Sequence, residues 1–407
     1  MLDRLTIERL EAAAGDGPIL MALSGGGDST ALLHLLAERL GPLRLRAVII
    51  DHALRAGAAD DARRAQGFAQ ALGVVAEIIT LTWPDGAKRA QQDARGARYR
   101  ALCDAARRCR ASVIAAGHTR DDQAETVLLR ASRGSHWRGL AGMRALAPAP
   151  LWPEGRGLWL ARPLLQSRRE ALRELLTARG ASWIEDPANS NTDFARVRVR
   201  QRLAEMASAG LAPLRFAALA ERLTRFASAV EDAALALIRG AVTFEAGAAR
   251  LTLALWCGPD AVRQRALSVV LAASGGQERE PPAEQVSALE AQLTNSSFKG
   301  ATLAGVWLKP SGDQVWLRRD LGALLGRADG PPAAPAFELV QGADLVWDRR
   351  LALRARAPGW ALVAAADHSD PLLVRGAQRV SLAEAQGIAE TTWLLEAHVD
   401  HLLANQR

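Results

Sequence analysis

Apolar and polar positions follow two different periods along the first half of the chain. Five short apolar runs have the length of buried strands, and they span residues 18–24, 44–51, 74–82, 112–118 and 158–165. Stretches with helical periodicity separate them, near residues 28–40, 60–72, 89–110 and 121–133. This alternation predicts an α/β fold with a doubly wound, mostly parallel sheet that helices cover on both faces. Ligands of such sheets bind at the carboxyl ends of the strands.

The pattern changes after about residue 205. Helical periodicity dominates there, as in residues 216–238, and a hairpin is predicted at 301–319. A proline-rich stretch at 326–337 is typical of a linker, and short strand-like runs follow it. We therefore predict three parts, which are an α/β domain, a mainly helical second domain, and a linker with a short C-terminal region, at residues 1–205, 206–325 and 326–407.

Composition narrows the class of partner. The chain has 407 residues, 49% of them hydrophobic, which is enough for two or three cores. Its net charge of +7 favours an anionic partner such as nucleic acid. Only three of the 51 basic residues are lysines, so arginine supplies nearly all the positive charge. Codon bias and bidentate phosphate binding are both adequate explanations of such an excess.

Cysteine usage and hydropathy indicate the compartment. Cys103, Cys109 and Cys257 form no CxxC pair, which fits a reducing cytosol and argues against a structural zinc or iron–sulfur site. No apolar stretch is long enough to span a membrane, and the charged N-terminus has the pattern of an amphipathic helix rather than a signal peptide. We expect a soluble cytoplasmic protein with no membrane partner.

The first apolar run leads into a glycine-rich loop, SGGGDS, at residues 24–29. Glycines let the backbone approach a ligand, and the helix that follows presents free N–H groups and the positive end of its dipole, which makes an anion cradle. The loop lacks the lysine of GxxxxGK[ST] and does not match GxGxxG. Asp28 suits an anion site only where a cation such as magnesium accompanies the phosphate. The alternative is that Asp28 or Ser29 merely caps the helix.

The SGGGDS loop matches the pyrophosphate loop, SGGxDS, of the ATP pyrophosphatases that cleave ATP between its α and β phosphates. Further motifs resemble the tRNA(Ile)-lysidine synthase family in order and spacing, and they are DHALR (51–55), ARGARY (94–99), GHTRDDQAETVLLRASRG (117–134) and GLAGM (139–143). The resemblance continues through RPLL (162–165) and WIEDPANSNTDFARVRVR (183–200), covers the helical region thinly and fades after about residue 325. It implies the adenine nucleotide alpha hydrolase-like fold.

The resemblance implies a reaction in two steps on tRNA(Ile) with the anticodon CAU. ATP, together with Mg²⁺, adenylates the carbon-2 oxygen of the wobble cytidine and releases pyrophosphate. The ε-amino group of free L-lysine then displaces AMP and leaves lysidine, so the family consists of C–N bond-forming ligases. Positioning and neutralisation of phosphate charge are expected to carry such a reaction. In this scheme residues 1–205 are catalytic and residues 206–325 bind the tRNA.

The resemblance also implies roles for the residues that follow the first two strands. The residues that it implies for ATP binding are Ser24, Gly25, Gly26, Gly27, Asp28, Ser29, Asp51 and His52. Among these, Asp28 is expected to hold the magnesium ion and to be catalytic. Without the resemblance, His52 is adequately explained as a loop histidine packed there by chance.

Two acids in the RDDQAET segment are candidates for binding an amino group. Asp122 and Glu125 are three residues apart on a predicted helix, so they share one face and suit an ammonium group. The alternative is that Asp121 or Asp122 only marks the N-terminus of that helix. The resemblance assigns lysine recognition to this segment, with Asp122 and Glu125 as catalytic and lysine-binding residues.

Two groups of arginines are candidates for contacts with phosphates of ATP or tRNA. Arg95 and Arg98 neighbour Tyr99 on one helical stretch, and Arg196 and Arg200 lie in RVRVRQR (196–202). A basic face in water is the alternative for both groups, with 196–202 as either a strand or a helix.

One position departs from the family's pattern in the second of these groups. Val197 stands where the family usually has asparagine. The sequence therefore gives less support to a role for any single arginine between 196 and 200 than to the basic character of the segment as a whole.

Two other functions fit parts of the sequence. One is a tRNA sulfur-transfer enzyme with the same glycine loop, and the other is an RNA-binding module without catalysis. Such thiolases often carry a catalytic cysteine pair or CxxC motifs, and Cys103 and Cys109 lack that spacing. A binding module has no need of Asp28 or of the acid pair. Lysidine synthesis is therefore the favoured interpretation.

Overall fold

The structure is a computed structural model of the chain. It describes residues 1–53, 57–83, 91–135, 137–185, 195–209, 214–295, 297–326, 335–365 and 370–404. The described chain is divided into two compact units, Met1–Ser228 and Ala229–Ala404. None of the helices in these described ranges is long and apolar enough to cross a membrane.

The first unit contains a six-stranded sheet. Its strands are β1 (Ile19–Ala22), β2 (Leu45–Asp51), β3 (Val75–Thr80), β4 (Val113–Ala116), β5 (Leu146–Pro148) and β6 (Trp159–Ala161). They lie in the order β3-β2-β1-β4-β6-β5, and every neighbouring pair is parallel except β5 and β6. The predicted doubly wound, mostly parallel sheet is confirmed.

Helices cover both faces of this sheet. They are α1 (Arg4–Ala14), α2 (Gly27–Leu40), α3 (Ala58–Ala71), α4 (Gln91–Arg108), α5 (Arg120–Ala131), α6 (Trp137–Leu140), α7 (Arg169–Ala178) and α8 (Ala195–Ser208). Ile19 and Met21 of β1 pack with Leu32 of α2, whereas Leu20 between them packs with Leu102 of α4. Because successive side chains of a strand point to opposite faces, β1 is apolar at every position.

The order of the strands determines where a ligand can bind. The chain runs from β1 outward through β2 to β3, and it returns to the other side of β1 as β4. Connections therefore leave β1 and β4 in opposite directions, and a crevice opens at their carboxyl ends. The glycine loop follows β1 and the GHTRDDQAET segment follows β4, so the fold brings both motifs to this crevice.

The second unit begins within the long helix α9 (Leu214–Ala241). It continues with β7 (Val242–Glu245), β8 (Ala248–Leu251), α10 (Asp260–Ser274), α11 (Ala283–Leu293), β9 (Ala301–Leu303), β10 (Val306–Ser311), β11 (Gln314–Arg319) and α12 (Leu321–Leu325). The strands form an antiparallel sheet in the order β7-β8-β11-β10-β9, and β10 with β11 is the predicted hairpin. Helices supply most of the regular structure here, and the sheet is an addition to the prediction.

The rest of the second unit consists of short strands and one helix. These are β12 (Phe337–Glu338), β13 (Asp344–Trp347), β14 (Leu351–Ala355), β15 (Ala361–Val363), β16 (Leu372–Arg375), β17 (Gln378–Ser381), β18 (Ala389–Trp393) and α13 (Leu395–Ala404). The strands form two small sheets around a separate core that contains Trp347 and Leu373, whereas α13 packs against α10. Most of the proline-rich stretch at 326–337 lies outside the described residues. The predicted boundaries near residues 205 and 325 stay predictions.

Candidate active site

The glycine loop joins β1 to α2 by a turn that requires glycine at one position. The strand ends at Ala22 and the helix begins at Gly27, slightly earlier than the sequence predicts. Gly25 has φ +79°, and a Cβ there would lie 2.5 Å from Cδ1 of Ile184. The backbone N–H of Ile184 also donates to the carbonyl of Gly25 at 2.9 Å. Gly25 is therefore fixed both by its backbone conformation and by a close neighbour.

Hydroxyl groups hold the loop in shape. The Oγ atoms of Ser24 and Ser29 are 3.0 Å apart, and Ser29 Oγ donates to the carbonyl of Gly26 at 3.0 Å. Thr30 Oγ1 donates to the carbonyl of Gly25 at 3.1 Å. With its carbonyls engaged in this way, the loop leaves the first N–H groups of α2 to face an anion. Direct donation by Ser24 and Ser29 to phosphate stays a prediction.

A second glycine lets the loop after β4 pack against the start of α2. A Cβ on Gly117 would lie 2.9 Å from the carbonyl oxygen of Asp28 and 2.9 Å from Cα of Ser29. These are backbone atoms at the first turn of a helix, and they cannot move aside without displacing the loop. Gly117 therefore allows the close packing of the two motifs.

The centre of the site is a single guanidinium group surrounded by acids. Arg169 is the first residue of α7, and its Nε lies 3.1 Å from Asp28 Oδ2. Its two other nitrogens lie 3.0 Å from Asp122 Oδ1 and 3.3 Å from Glu125 Oε1. The structure thus brings Asp28 of the glycine loop together with both predicted lysine-binding acids.

The RDD segment also has structural roles that the sequence only partly predicts. Thr119, rather than Asp121 or Asp122, is the N-cap of α5, and Asp122 completes a capping box by accepting from the Thr119 N–H at 2.7 Å. Asp121 accepts from the backbone N–H of Arg169 at 2.8 Å, which satisfies a donor at the start of α7. Asp121 and Asp122 thus lie in the first turn of α5, as the alternative interpretation expects, but Asp122 also pairs with Arg169, so marking the helix N-terminus is not its only role.

A second arginine, Arg200, contacts the acid cluster from another helix. Residues 196–202 form part of α8, so the helical alternative is the correct one, and α8 packs against α5. Nε of Arg200 donates to Glu125 Oε1 at 2.8 Å, so Arg169 and Arg200 share this oxygen. Val197 is buried and Arg196 is exposed on the same helix.

Two carboxylate oxygens in the cluster are buried and accept no hydrogen bond from the described residues. They are Asp28 Oδ1 and Glu125 Oε2. Burial raises the pKa of Asp28 to about 6, although Arg169 pulls it down, and nearby Asp122 raises it further. The cluster therefore still has unused capacity to bind cations.

Asp51 and His52 lie at the end of β2, the position that the sequence predicts. The carboxylate of Asp51 is buried and accepts from the backbone N–H of Ala53 at 2.8 Å. The backbone carbonyl of His52 accepts from the Trp83 indole N–H at 2.8 Å. Burial, and then Arg98, lower the pKa of His52, so this imidazole is neutral at pH 7.

Arginines gather around a buried tyrosine. Tyr99 is 2% exposed, and the guanidinium carbons of Arg95 and Arg98 lie 4.9 and 5.0 Å from its ring centroid. Burial raises the pKa of Tyr99, but Arg98, Arg95 and Arg162 outweigh it and hold the pKa below its usual value. Burial, and then Arg162 and Arg98, lower the pKa of His118 far below 6.5. Such a concentration of positive charge fits a phosphate group.

Sequence reasoning missed four residues of this site, Arg169, Arg162, His118 and Gly117. Arg169 had a detectable signal, because a cation in the first turn of a helix opposes the helix dipole and needs a local reason. His118 and Gly117 stand inside a quoted motif but carry no spacing that indicates a role. Arg162 is 8% exposed, and its burial depends on the packing of distant segments.

Comparison with known proteins identifies the family of this chain. The PP-loop domain family matches residues 3–207. A tRNA(Ile)-lysidine synthase from Hyphomonas neptunium is 37% identical over 314 residues, covering 76% of this chain and 83% of that protein. The synthase from Caulobacter vibrioides is 33% identical over 382 residues, covering 93% of this chain and 84% of the other.

This chain belongs to the tRNA(Ile)-lysidine synthase family. The resemblance seen in the sequence is thus confirmed, and it extends further than predicted, since 382 matched residues reach beyond residue 325. A U34-tRNA thiolase structure from Methanococcus maripaludis is 18% identical, with a TM-score of 0.43 over 54% of this chain and 78% of that one. That likeness is too low to support a conclusion.

We expect Gly117→Ala to damage the loop, because the new methyl group meets the backbone of Asp28 and Ser29. The cost in unfolding free energy is roughly 1–3 kcal/mol, and the KM for ATP rises. Gly67→Ala is the matched control, because Gly67 lies inside α3 with open space around it. That variant gains about 0.5–1 kcal/mol. Equal behaviour of the two variants in thermal unfolding and ATP kinetics would contradict this account.

We expect Arg169→Met to lower the free energy of unfolding by roughly 2–4 kcal/mol, because three acids lose their shared cation. The control is Arg173→Met, one turn further along α7, whose ion pair with Glu185 is exposed at 3.2 Å. Removing that pair costs about 1 kcal/mol or less. Urea denaturation measures both effects. Similar losses for the two variants would mean that the acid cluster contributes no more than a surface pair.

Proposed function

We propose that this chain joins free L-lysine to carbon 2 of the wobble cytidine in tRNA(Ile) with anticodon CAU. ATP first adenylates the carbon-2 oxygen and releases pyrophosphate, and the lysine ε-amino nitrogen then displaces AMP. The observation that carries the proposal is the bridge from Asp28, in the phosphate loop, through Arg169 to Asp122 and Glu125. The bridge supports a phosphate site and an ammonium site that adjoin each other.

The two buried carboxylate oxygens without hydrogen bonds suggest a division of roles. Asp28 Oδ1 belongs to the first turn of the helix that follows the glycine loop and suits a metal ion, whereas Glu125 Oε2 suits the lysine ammonium. An ammonium group is not a nucleophile until it loses a proton. We assign acceptance of that proton to Glu125, directly or through water, and assign orientation of the ammonium to Asp122.

Magnesium fits the residues present. Mg²⁺ in nucleotide sites is usually held by one or two carboxylates together with substrate phosphates, and Asp28 supplies one such carboxylate. When bound, the ion neutralises charge on the pyrophosphate. The phosphates are surrounded by the other residues of the loop, which are Ser24, Gly25, Gly26, Gly27 and Ser29. Asp51 and His52 approach the nucleotide.

The arginines would serve the remaining phosphates. We propose that Arg95 and Arg98 bind a phosphate of ATP or of tRNA at the cationic cluster, and that the exposed Arg196 contacts tRNA. Arg200 would exchange its contact with Glu125 for a phosphate when substrate enters. We place the catalytic part at residues 1–205, tRNA binding at 206–325, a short C-terminal region at 326–407, and the reaction in the cytoplasm.

Sulfur transfer, the alternative function, is less well supported by the cysteines. Burial raises the pKa of Cys103 to about 12, so this thiol is protonated at neutral pH and is a poor nucleophile. Cys109 is half-buried, with Sγ 3.5 Å from the carbonyl of Ala106, and Cys257 is exposed elsewhere in the chain. None of the three adjoins the acid cluster in sequence.

The decisive experiment supplies ATP, labelled lysine and total tRNA. We expect label in one isoleucine isoacceptor and formation of AMP and pyrophosphate, because the loop cradles a departing pyrophosphate. Asp28→Ala should abolish turnover while circular dichroism shows a folded protein. Release of ADP and orthophosphate, or transfer of sulfur with no incorporation of lysine, would overturn the proposal.

A variant separates the two steps. Glu125→Gln removes the proposed proton acceptor but keeps an oxygen for Arg169, so we expect a large loss of lysine transfer with pyrophosphate release retained. The control is Glu170→Gln, which removes an exposed charge next to Arg169 and should leave both steps unchanged. A Glu125 variant that instead loses adenylation and keeps a normal KM for lysine would place this residue in the nucleotide site.

A further inference from the structure

The five-stranded sheet of the second unit has one buried face and one face whose side chains are exposed or half-buried. Leu251, Val306, Leu308 and Leu317 point inward to a core shared with α10 and α11. Because side chains alternate along a strand, Trp307, Lys309, Trp316, Arg318 and Arg250 point to the opposite face. We call these five residues the tryptophan face.

Cross-strand pairing arranges the tryptophan face in alternating cations and rings. Trp316 pairs with Arg250 on one side and with Lys309 on the other, and Trp307 pairs with Arg318. The guanidinium carbons of Arg250 and Arg318 lie 5.5 and 5.3 Å from the Trp316 ring centroid. Nζ of Lys309 lies 5.5 Å from the Trp307 ring centroid. Each ring therefore has at least one cation at its face or edge.

Exposure and charge distinguish this face from ordinary sheet surface. Trp307 is 42% exposed, the largest exposure of any tryptophan in the described ranges. Arg250, Lys309 and Arg318 form no ion pair with a carboxylate of the described chain, whereas Glu245 on the edge strand β7 is the single acid on the same face. Three uncompensated cations beside two rings are complementary to a polyanion that carries flat bases.

We propose that the tryptophan face binds unpaired nucleotides of tRNA, with bases stacked on Trp307 and Trp316 and phosphates held by Arg250, Lys309 and Arg318. A sheet that presents aromatic rings to two or three bases is an established way to bind single-stranded RNA. Diagonal neighbours on adjacent strands are roughly 7–8 Å apart, so two successive splayed bases can reach the two rings. The identity of the RNA as tRNA rests on the proposed function.

The ring contribution is tested by binding of the tRNA(Ile) transcript to the full-length protein. Trp307→Leu and Trp316→Leu should each weaken binding about fivefold or more, the usual loss per stacked base. Trp307→Phe and Trp316→Phe should restore most of the affinity, because a phenyl ring still stacks. The KM for ATP and the rate at saturating tRNA should stay unchanged, and thermal unfolding checks that each variant is folded.

The charge contribution has a different signature. Lys309→Gln and Arg318→Gln should each reduce the slope of log affinity against log salt concentration by about 0.7–0.9, the contribution of one neutralised phosphate. The leucine variants should lower affinity without changing that slope. The control is Arg4→Gln, an exposed arginine of the first unit paired with Glu8 at 2.8 Å, which should leave the slope unchanged.

Two outcomes would overturn the inference. One is binding of tRNA by both leucine variants within twofold of the unaltered protein. The other is a change in sedimentation rather than in RNA binding, which would make the face an interface between copies of the chain. If the unaltered protein adds no lysine to tRNA, the proposed function fails, yet the binding comparison still decides whether the face recognises RNA.

Discussion

The ion pairs of Arg169 are the interaction on which the candidate site depends. Asp28, Asp122 and Glu125 come from two helices that start at the same crevice, and their charges repel one another. At an effective dielectric constant of about 20, two like charges 4 Å apart cost about 4 kcal/mol. One guanidinium group at 3.0–3.3 Å offsets this for all three acids. Burial raises the pKa of Asp28 to about 6, and the charge of Arg169 opposes that rise.

The charge balance of the cluster explains what it can bind. Three carboxylates face the guanidinium groups of Arg169 and Arg200, and Asp121 accepts from the backbone N–H of Arg169 beside them, so negative charge is in excess. A lysine ammonium or a metal ion can neutralise that charge. Around Tyr99 the excess has the opposite sign, because Arg95 and Arg98 have a ring rather than a carboxylate between them. An acidic and a basic compartment within one unit suit a reaction that joins an amine to a phosphate-activated RNA.

The backbone makes this arrangement possible as much as the charges do. Gly25 has a conformation that other residues rarely adopt, and Gly117 leaves no room for a side chain between two loops. Asp122 takes part in the capping box of α5 and Asp121 accepts from a backbone N–H at the start of α7, so the acids that contact Arg169 also hold these two helices in place. Binding and folding therefore use the same side chains, and variants of these acids need a folding control.

The sequence by itself determined the order of elements in the α/β part, the glycine loop and the candidate acids, because periodicity and motifs are local properties of the chain. It placed Asp28, Asp122 and Glu125 at strand ends that a parallel sheet must bring together. It did not reveal Arg169, the capping role of Thr119 or the tryptophan face. Those depend on which distant segments pair and in what register, and Trp307 faces solvent beside Arg318 only because β10 and β11 align as they do. Long-range pairing of this kind is decided by the packing of the whole core, and no local pattern encodes it.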